Sequence, residues 1–201
     1  MIEFLEKIAQ FESLVVAVIT GVTTFLAVWF RNRLSCKTHI RKLESTTKRN
    51  EDVLAALEYA LVGFNADRAY IYEFHNGSHF SSGLPQQKFS CTYEKVSEGI
   101  SSECGNTGEY RISNFNDYIR TMLKDGHYWG EDVTELRDYG LRSLLQDKGV
   151  RSVYNVPIKT LSGQTIGFLG LDYVKSNRLL TQEEKTKFKT QAKLVSGYLL
   201  H

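Results

Sequence analysis

The sequence predicts an α+β protein: an antiparallel sheet with flanking helices, preceded by one transmembrane helix and a helical, coiled-coil-like linker. Three observations predict it. Ser13 to Phe30 is a block of eighteen residues without a charge; apolar residues then recur at spacings of three and four as far as Phe64; beyond that, alternating β-rich runs are divided by Gly and Asn turns. Hydrophobic residues make up 42% of the chain and charged ones 24%, ordinary for folded protein, and the length after the uncharged block suits one globular core, not two.

The uncharged block comes first. As a helix it is about 27 Å long at roughly 1.5 Å per residue, close to a hydrocarbon thickness of about 30 Å, so it spans with little spare length. Thr20, Thr23, Thr24 and Gly21 soften it. Glu3, Glu6 and Glu12 stand where a signal peptide is basic, and no small-residue cleavage pattern precedes Arg31, so the block reads as an uncleaved anchor. Lys7 faces three glutamates on its N-terminal side, whereas Arg31, Arg33, Lys37, Arg41, Lys42, Lys48 and Arg49 face only Glu44 on the other. The positive-inside rule then leaves residues 1–12 outside the cytoplasm, 13–30 in the membrane and a basic juxtamembrane helix at 31–50, with a domain over 51–201 in the cytoplasm. Trp29 and Phe30 fall at the inner interface.

Charge excludes one class of partner. The formal net charge of +2 comprises +6 within residues 31–50 and −4 over the remainder. The basic stretch therefore points to anionic lipid headgroups, and the domain is not a nucleic-acid binder. Cys36, Cys91 and Cys104 form neither an even disulfide framework nor a CxxC pair, as expected of reduced cytosolic thiols.

The linker follows. Ile40, Leu43, Thr47, Asn50, Leu54, Leu57, Leu61 and Phe64 make a heptad seam in which a buried Asn50 would set the register of a parallel homodimer. The same helix from Val53 to Phe64 also suits packing on its own sheet. Gly63 loosens its end, and AYIYEFH is then a strand in which Tyr70, Tyr72 and Phe74 alternate with Ile71, Glu73 and His75. Asn76-Gly77 supplies a turn, a loop runs from Ser78 to Pro85, and KFSCTYEKVS is the second strand. Ser97 to Gly108 reads as a short helix or loop, and Asn116 to Gln146 as helix broken at Gly126, Gly130 and Gly140. Val150 to Ile158 and Thr165 to Val174 form a β-hairpin about Ser162-Gly163. Thr181 and Glu184 form a capping box for a last helix, whose stripe of Phe188, Ala192, Val195 and Leu199 pairs with the linker helix beneath the sheet.

This order, with ADRAYIYEF, GVRSVYNVPI, GQTIGFLGLDYV and TQEEKTKFKTQAKLVSGYL, resembles the GAF sensory domain over about residues 50–200. Val156-Pro157-Ile158, Gly163 to Gly167 and Leu180 to Glu184 carry the likeness. Phe74, His75, Asn76, Gly77, Lys88, Ser90, Cys91 and Glu94 also resemble a segment of membrane-anchored GAF-like proteins of phages and bacteria. The resemblance implies ligand sensing on a bacterial inner membrane, or on a host membrane for a phage-encoded chain. It does not name a cofactor, since GAF-like folds bind cyclic nucleotides, tetrapyrroles, small metabolites or nothing.

The candidate ligand-binding residues are Tyr72, His75, Asn76, Cys91, Tyr93 and Glu94, expected at one corner of the first two strands, with Asn155 and Asp172 on the hairpin. The blander reading makes Asn76 and His75 turn supports. His75, His79 and Cys91 lack a fourth zinc ligand, so no metal is expected. Cys91-Thr92 and Cys104-Gly105 lack the Cys-His pair of bilin attachment, and no Walker, kinase, GxSxG or HExxH motif occurs. The expected function is ligand sensing without catalysis or an output domain of its own, read out through the span, a membrane protein or a host protein. The first rival is a phage-type membrane interaction protein acting in lysis, superinfection exclusion or host takeover; a lesser one is a free methionine-(R)-sulfoxide reductase, faintly echoed by Cys104-Gly105 and Asp172.

Overall fold

A computed structural model describes residues 2–79, 82–105 and 108–200. The chain divides into two compact units, Met1–Lys48 and Arg49–His201. Helix α1 (Ile2–Gly63) begins in the first, where it carries Val15–Arg33, a stretch of mean hydropathy 1.5 with none of it buried, long and apolar enough to cross a membrane. The hydroxyls of Thr20, Thr23 and Thr24 donate to the carbonyls of Val16, Ile19 and Thr20, at 2.8, 2.9 and 2.7 Å. Each of these hydroxyls is thus satisfied inside the helix.

The second unit is built on a six-stranded antiparallel sheet. Its strands are β1 (Arg68–His79), β2 (Pro85–Val96), β3 (Tyr110–Arg111), β4 (Tyr128–Gly130), β5 (Ser152–Lys159) and β6 (Thr165–Tyr173), in the order β3-β2-β1-β6-β5-β4. Helices α2 (Asn116–Asp125) and α3 (Tyr139–Asp147) lie in the crossover, and α4 (Gln182–Leu200) closes the chain. Because successive side chains of a strand point to opposite faces, each central strand serves two cores. Ala69, Ile71, Val156, Leu169 and Leu171 meet Leu57, Leu61, Phe64, Phe188 and Val195 of α1 and α4. Tyr70, Tyr72, Val153 and Phe168 meet Tyr118, Met122, Leu141 and Leu145 of α2 and α3. Fully burying one such Leu or Phe contributes about 1.5–3 kcal/mol.

The linker helix packs on its own sheet. Val53, Ala56, Leu57, Ala60, Leu61 and Phe64 are buried, and the Gln191 amide donates to the Ala56 carbonyl at 3.1 Å, joining α4 to α1. Asn50 accepts a 2.7 Å hydrogen bond from the Tyr93 hydroxyl, so its carbonyl oxygen serves the domain. The helix ends at Asn65, which takes φ +50°, where Ala66 N–H reaches back to Leu61 and Asn65 N–H to Val62. The capping box is present, with Glu184 N–H on the Thr181 hydroxyl at 3.2 Å and Thr181 N–H on the Glu184 carboxylate at 2.7 Å.

Two local expectations change. Asn76-Gly77 is not a turn: Asn76 pairs with Gln87 and β1 continues to His79, because a Cβ at Gly77 would meet the Lys88 chain at 2.6 Å and the glycine is needed for close approach, not for a positive φ. Tyr128–Gly130, expected within helix, is an edge strand on β5. Of the two alternatives for the stretch that follows β2, residues 97–105 take the loop.

Asp138 joins the two crossover helices, one oxygen capping α3 through Leu141 N–H at 3.0 Å and the other accepting from Tyr118 N–H of α2 at 2.9 Å. Replacing it by Ala orphans two buried amides. Asp138→Ala is expected to destabilise the domain by about 1–3 kcal/mol, read as a lowered Tm; an unchanged Tm contradicts the account.

Candidate ligand cavity

Between the sheet and helices α2 and α3 lies a cavity of about 40 Å³. Its position follows from parity. Tyr70 and Tyr72 of β1, Asn155 of β5, and Phe168 and Asp172 of β6 all point to this face, and Gly170 leaves room for the Tyr70 ring, which a Cβ there would overlap together with the Asn155 amide. Tyr72 stacks on Phe168 with centroids 5.2 Å apart, and Tyr118 meets Phe168 edge-on at 5.8 Å, which makes one wall aromatic.

The other wall is polar and organised by Asp172. This carboxylate, 4% exposed, accepts from the Tyr70 hydroxyl at 2.8 Å and lies 3.7 Å from the Arg68 guanidinium. The Asn155 amide lies 3.1 Å from the Tyr70 oxygen. Burial pushes the Asp172 carboxyl up to about 6, against the opposing pull of Tyr70, Arg68 and Lys148. Lys148, at the end of α3, reaches the Tyr72 hydroxyl at 3.4 Å, and burial lowers its ammonium below the ordinary lysine value. Burial also raises the Tyr70 and Tyr118 phenols well above the usual tyrosine range, so both are protonated donors.

A loop closes the side of the cavity. Arg68 Nε donates to the Ser101 carbonyl at 3.0 Å and its guanidinium lies 3.7 Å from Glu103. Glu94 of β2 accepts from the Ser102 hydroxyl and from the Glu103 and Cys104 amides, at 2.6, 2.8 and 3.1 Å, all on one carboxylate oxygen. One arginine and one glutamate thus pin residues 101–104 over the sheet.

The expected residues fall into two groups. Tyr72, Glu94, Asn155 and Asp172 line the cavity, and Cys91, opposite Tyr72, faces the same side. His75, Asn76 and Tyr93 do not join them. His75 lies 2.9 Å from the Ser90 hydroxyl, Asn76 accepts from the Gln87 amide at 2.7 Å, and Tyr93 turns to Asn50 on the helical face. For Tyr93 the reason is a bulge: Ile71 pairs with Tyr93 but Tyr72 with Cys91, so Thr92 is the extra residue and shifts parity along β2. His75 shares the parity of Ile71 on β1, and Asn76, of the parity of Tyr72, pairs with Gln87 four residues further along the strand. Sequence reasoning missed Arg68, Tyr70, Glu103, Tyr118, Lys148 and Phe168. Tyr70 was signalled by sharing the parity of Tyr72, and Phe168 by sharing that of Asp172; the others come from the crossover or the strand start and had no local signal.

No protein-family profile and no curated protein matches the sequence. Solved structures do. The blue-light-absorbing form of the PixJ GAF domain of Thermosynechococcus elongatus matches with a TM-score of 0.62 at 18% identity, over 78% of this chain and 88% of that one. The fold is the GAF fold. The GAF domain region of a protein described as a membrane protein of Geobacter sulfurreducens matches with a TM-score of 0.59 at 14% identity, over 80% of this chain and 98% of that one. A domain described as part of a two-component sensor histidine kinase of Sinorhizobium meliloti matches at 0.53 and 16% identity, over 73% of this chain and 88% of that one.

The raised Asp172 value fixes a sign. A carboxyl whose folded value lies near 6 and whose unfolded value lies near 3.9 favours folding most at pH below 4, and that contribution is lost as pH rises through 6. Asp172→Asn keeps an acceptor for Tyr70 and removes the titration. Its stability relative to wild type should therefore improve between pH 4 and pH 7, by roughly 3 kcal/mol at most; a pH-independent difference in Tm contradicts the burial argument.

Proposed function

We propose that this chain is a membrane-anchored sensory protein whose GAF domain binds a small polar molecule in the Asp172 cavity and has no catalytic role. The observation that carries the reading is the cavity itself: a buried carboxylate and amide face an aromatic wall, under a loop held by one arginine and one glutamate. Such convergence of a few polar groups in an apolar recess suits small-molecule recognition. At about 40 Å³ the recess is far too small for a tetrapyrrole, and neither cavity-side cysteine is followed by histidine, so the proposed ligand is not the bilin of a photoreceptor.

The proposed organisation is an extracytoplasmic segment at 1–12, a span at 13–30, a basic juxtamembrane helix at 31–50 and the GAF domain at 51–201, with that domain in the cytoplasm of a bacterium or of a phage-infected host. The exposed apolar window Val15–Arg33 and the basic residues after it support this. A homodimer is proposed through the outer face of α1 and α4, where Tyr59, Val62 and Leu194 are exposed. The chain should remain in the membrane pellet after alkaline carbonate washing; extraction into the supernatant rejects the anchor. Leu194→Glu should convert the detergent-solubilised dimer to a monomer by light scattering, and a wild-type monomer rejects the dimer.

Ligand binding is tested by thermal shift of the full chain against small organic acids and other polar molecules of a few heavy atoms. A ligand at a hundred times its Kd stabilises the folded state by about 2.7 kcal/mol. Asn155→Ala and Tyr70→Phe should abolish the shift, whereas His75→Ala, on the other face of β1, should retain it. No shift with any probe, together with capture of one membrane or host protein, favours the rival in which the scaffold only docks a partner.

A further inference from the structure

Two cysteines from different elements meet beside the cavity. Cys91 faces the cavity side from β2, and Cys104 belongs to the closing loop. Glu94 brings them together: the bulge at Thr92 places its carboxylate on the same face as Cys91, and that carboxylate accepts the Cys104 amide at 3.1 Å. The two thiols lie within reach of a mutual hydrogen bond. Both are half-buried, and the other polar neighbour of the Cys91 thiol is the Tyr93 carbonyl at 3.6 Å. The meeting joins a fixed strand to the loop that carries Glu103, a residue of the cavity wall.

We propose that Cys91 and Cys104 form a reversible dithiol–disulfide pair, oxidised by a hydroperoxide, whose closure locks the 97–105 loop onto β2. The order of reaction follows from the environment. Burial raises both thiols, and Cys104, on the closing loop, is the less buried of the two and the more open to a peroxide. Cys104 is therefore the attacking sulfur. Its thiolate displaces the distal oxygen of hydrogen peroxide, the O–O bond breaks, and the departing hydroxide takes the thiol's former proton to give water and a sulfenic acid. The Cys91 sulfur then attacks the Cys104 sulfur, the S–O bond breaks, and the hydroxyl leaves as water with the Cys91 proton. Two thiols and one peroxide become one disulfide and two waters. The low thiolate fraction makes the reaction slow at neutral pH and faster as pH rises.

The pair stands on this geometry whether or not the cavity takes a ligand. The test uses the full chain in detergent micelles with Cys36→Ser, which removes the third thiol. Hydrogen peroxide should consume both remaining thiols with a loss of about 2 Da and join the Cys91 and Cys104 peptides within one chain, and dithiothreitol should reverse it. Amide exchange over 97–105 should slow at least about tenfold in the oxidised form. With Cys91→Ser added, a sulfenic acid should accumulate on Cys104 and be trapped by dimedone. Separate oxidation of the thiols without a link, a link between chains, unchanged exchange in the loop, or absence of the Cys104 adduct each overturns the proposal.

Discussion

A carboxylate removed from water needs compensation, and on the cavity face of this sheet that need is met for Asp172 by groups drawn from two elements. Tyr70 and Arg68 come from the neighbouring strand and Lys148 from the end of α3. The compensation is incomplete, since burial still pushes the acid up to about 6. Arg68 then has directions to spare: its Nε and its second terminal nitrogen go to Ser101 and Glu103. One buried acid thereby orders the arginine, the arginine orders the loop, and the loop encloses the cavity. Without Asp172 charged or able to accept, the guanidinium would sit 2% exposed with Glu103 as its one carboxylate partner.

The opposite face is governed by packing, with few polar demands. Phe64 and Phe188 meet edge to face at 5.4 Å where α1 and α4 come together, and the Tyr173 hydroxyl reaches the Phe64 carbonyl at 2.9 Å. At the seam between faces sits Asp67. Burial alone would raise its carboxyl, but the amides of Lys175 and Val174 donate to it at 2.9 and 2.7 Å, with the Lys175 charge nearby, and hold it below the ordinary value. It fastens the start of β1 to the end of β6, next to the Asp172 network.

Periodicity made the covalently local part of this architecture readable. The hairpin, the capping box and the alternation of Tyr70, Tyr72 and Ile71 are each settled within ten or so residues, and each is found as expected. Gly77 misled because a glycine after asparagine signals a turn equally well whether its backbone needs a positive φ or only room, here for the Lys88 chain. Half of the candidate site was legible: Tyr72, Glu94, Asn155 and Asp172 line one cavity. Tyr93 was misplaced because one bulge residue, Thr92, reassigns faces along β2, and a bulge leaves no mark in the hydrophobic pattern. The opposite face of His75 was legible from its alternation with Tyr72 on β1. Lys148 and Tyr118 come from the crossover helices, which the fold alone delivers to the cavity.

In the proposed sensory role, the same alternation that defines the candidate site also limits how a signal could leave it. A ligand shifts only states that it binds differently, so an occupant must alter something that the helical face also feels. Strand β1 is the shortest physical route: Tyr70 and Tyr72 contact the cavity, while Ala69 and Ile71, one residue away, pack with Leu57, Leu61 and Phe188. A second route runs through β2, where Glu94 clamps the loop and the adjacent Tyr93 bonds Asn50 on α1. Displacing the loop would pull on Glu94, and a small rotation of that strand would lengthen the 2.7 Å bond to Asn50. Asn50 lies three residues before the buried Val53, so the bond ties this turn of α1 to β2. A polar residue at that height serves such coupling better than an apolar one, because a hydrogen bond is made or broken over a fraction of an ångström, whereas apolar contact yields gradually.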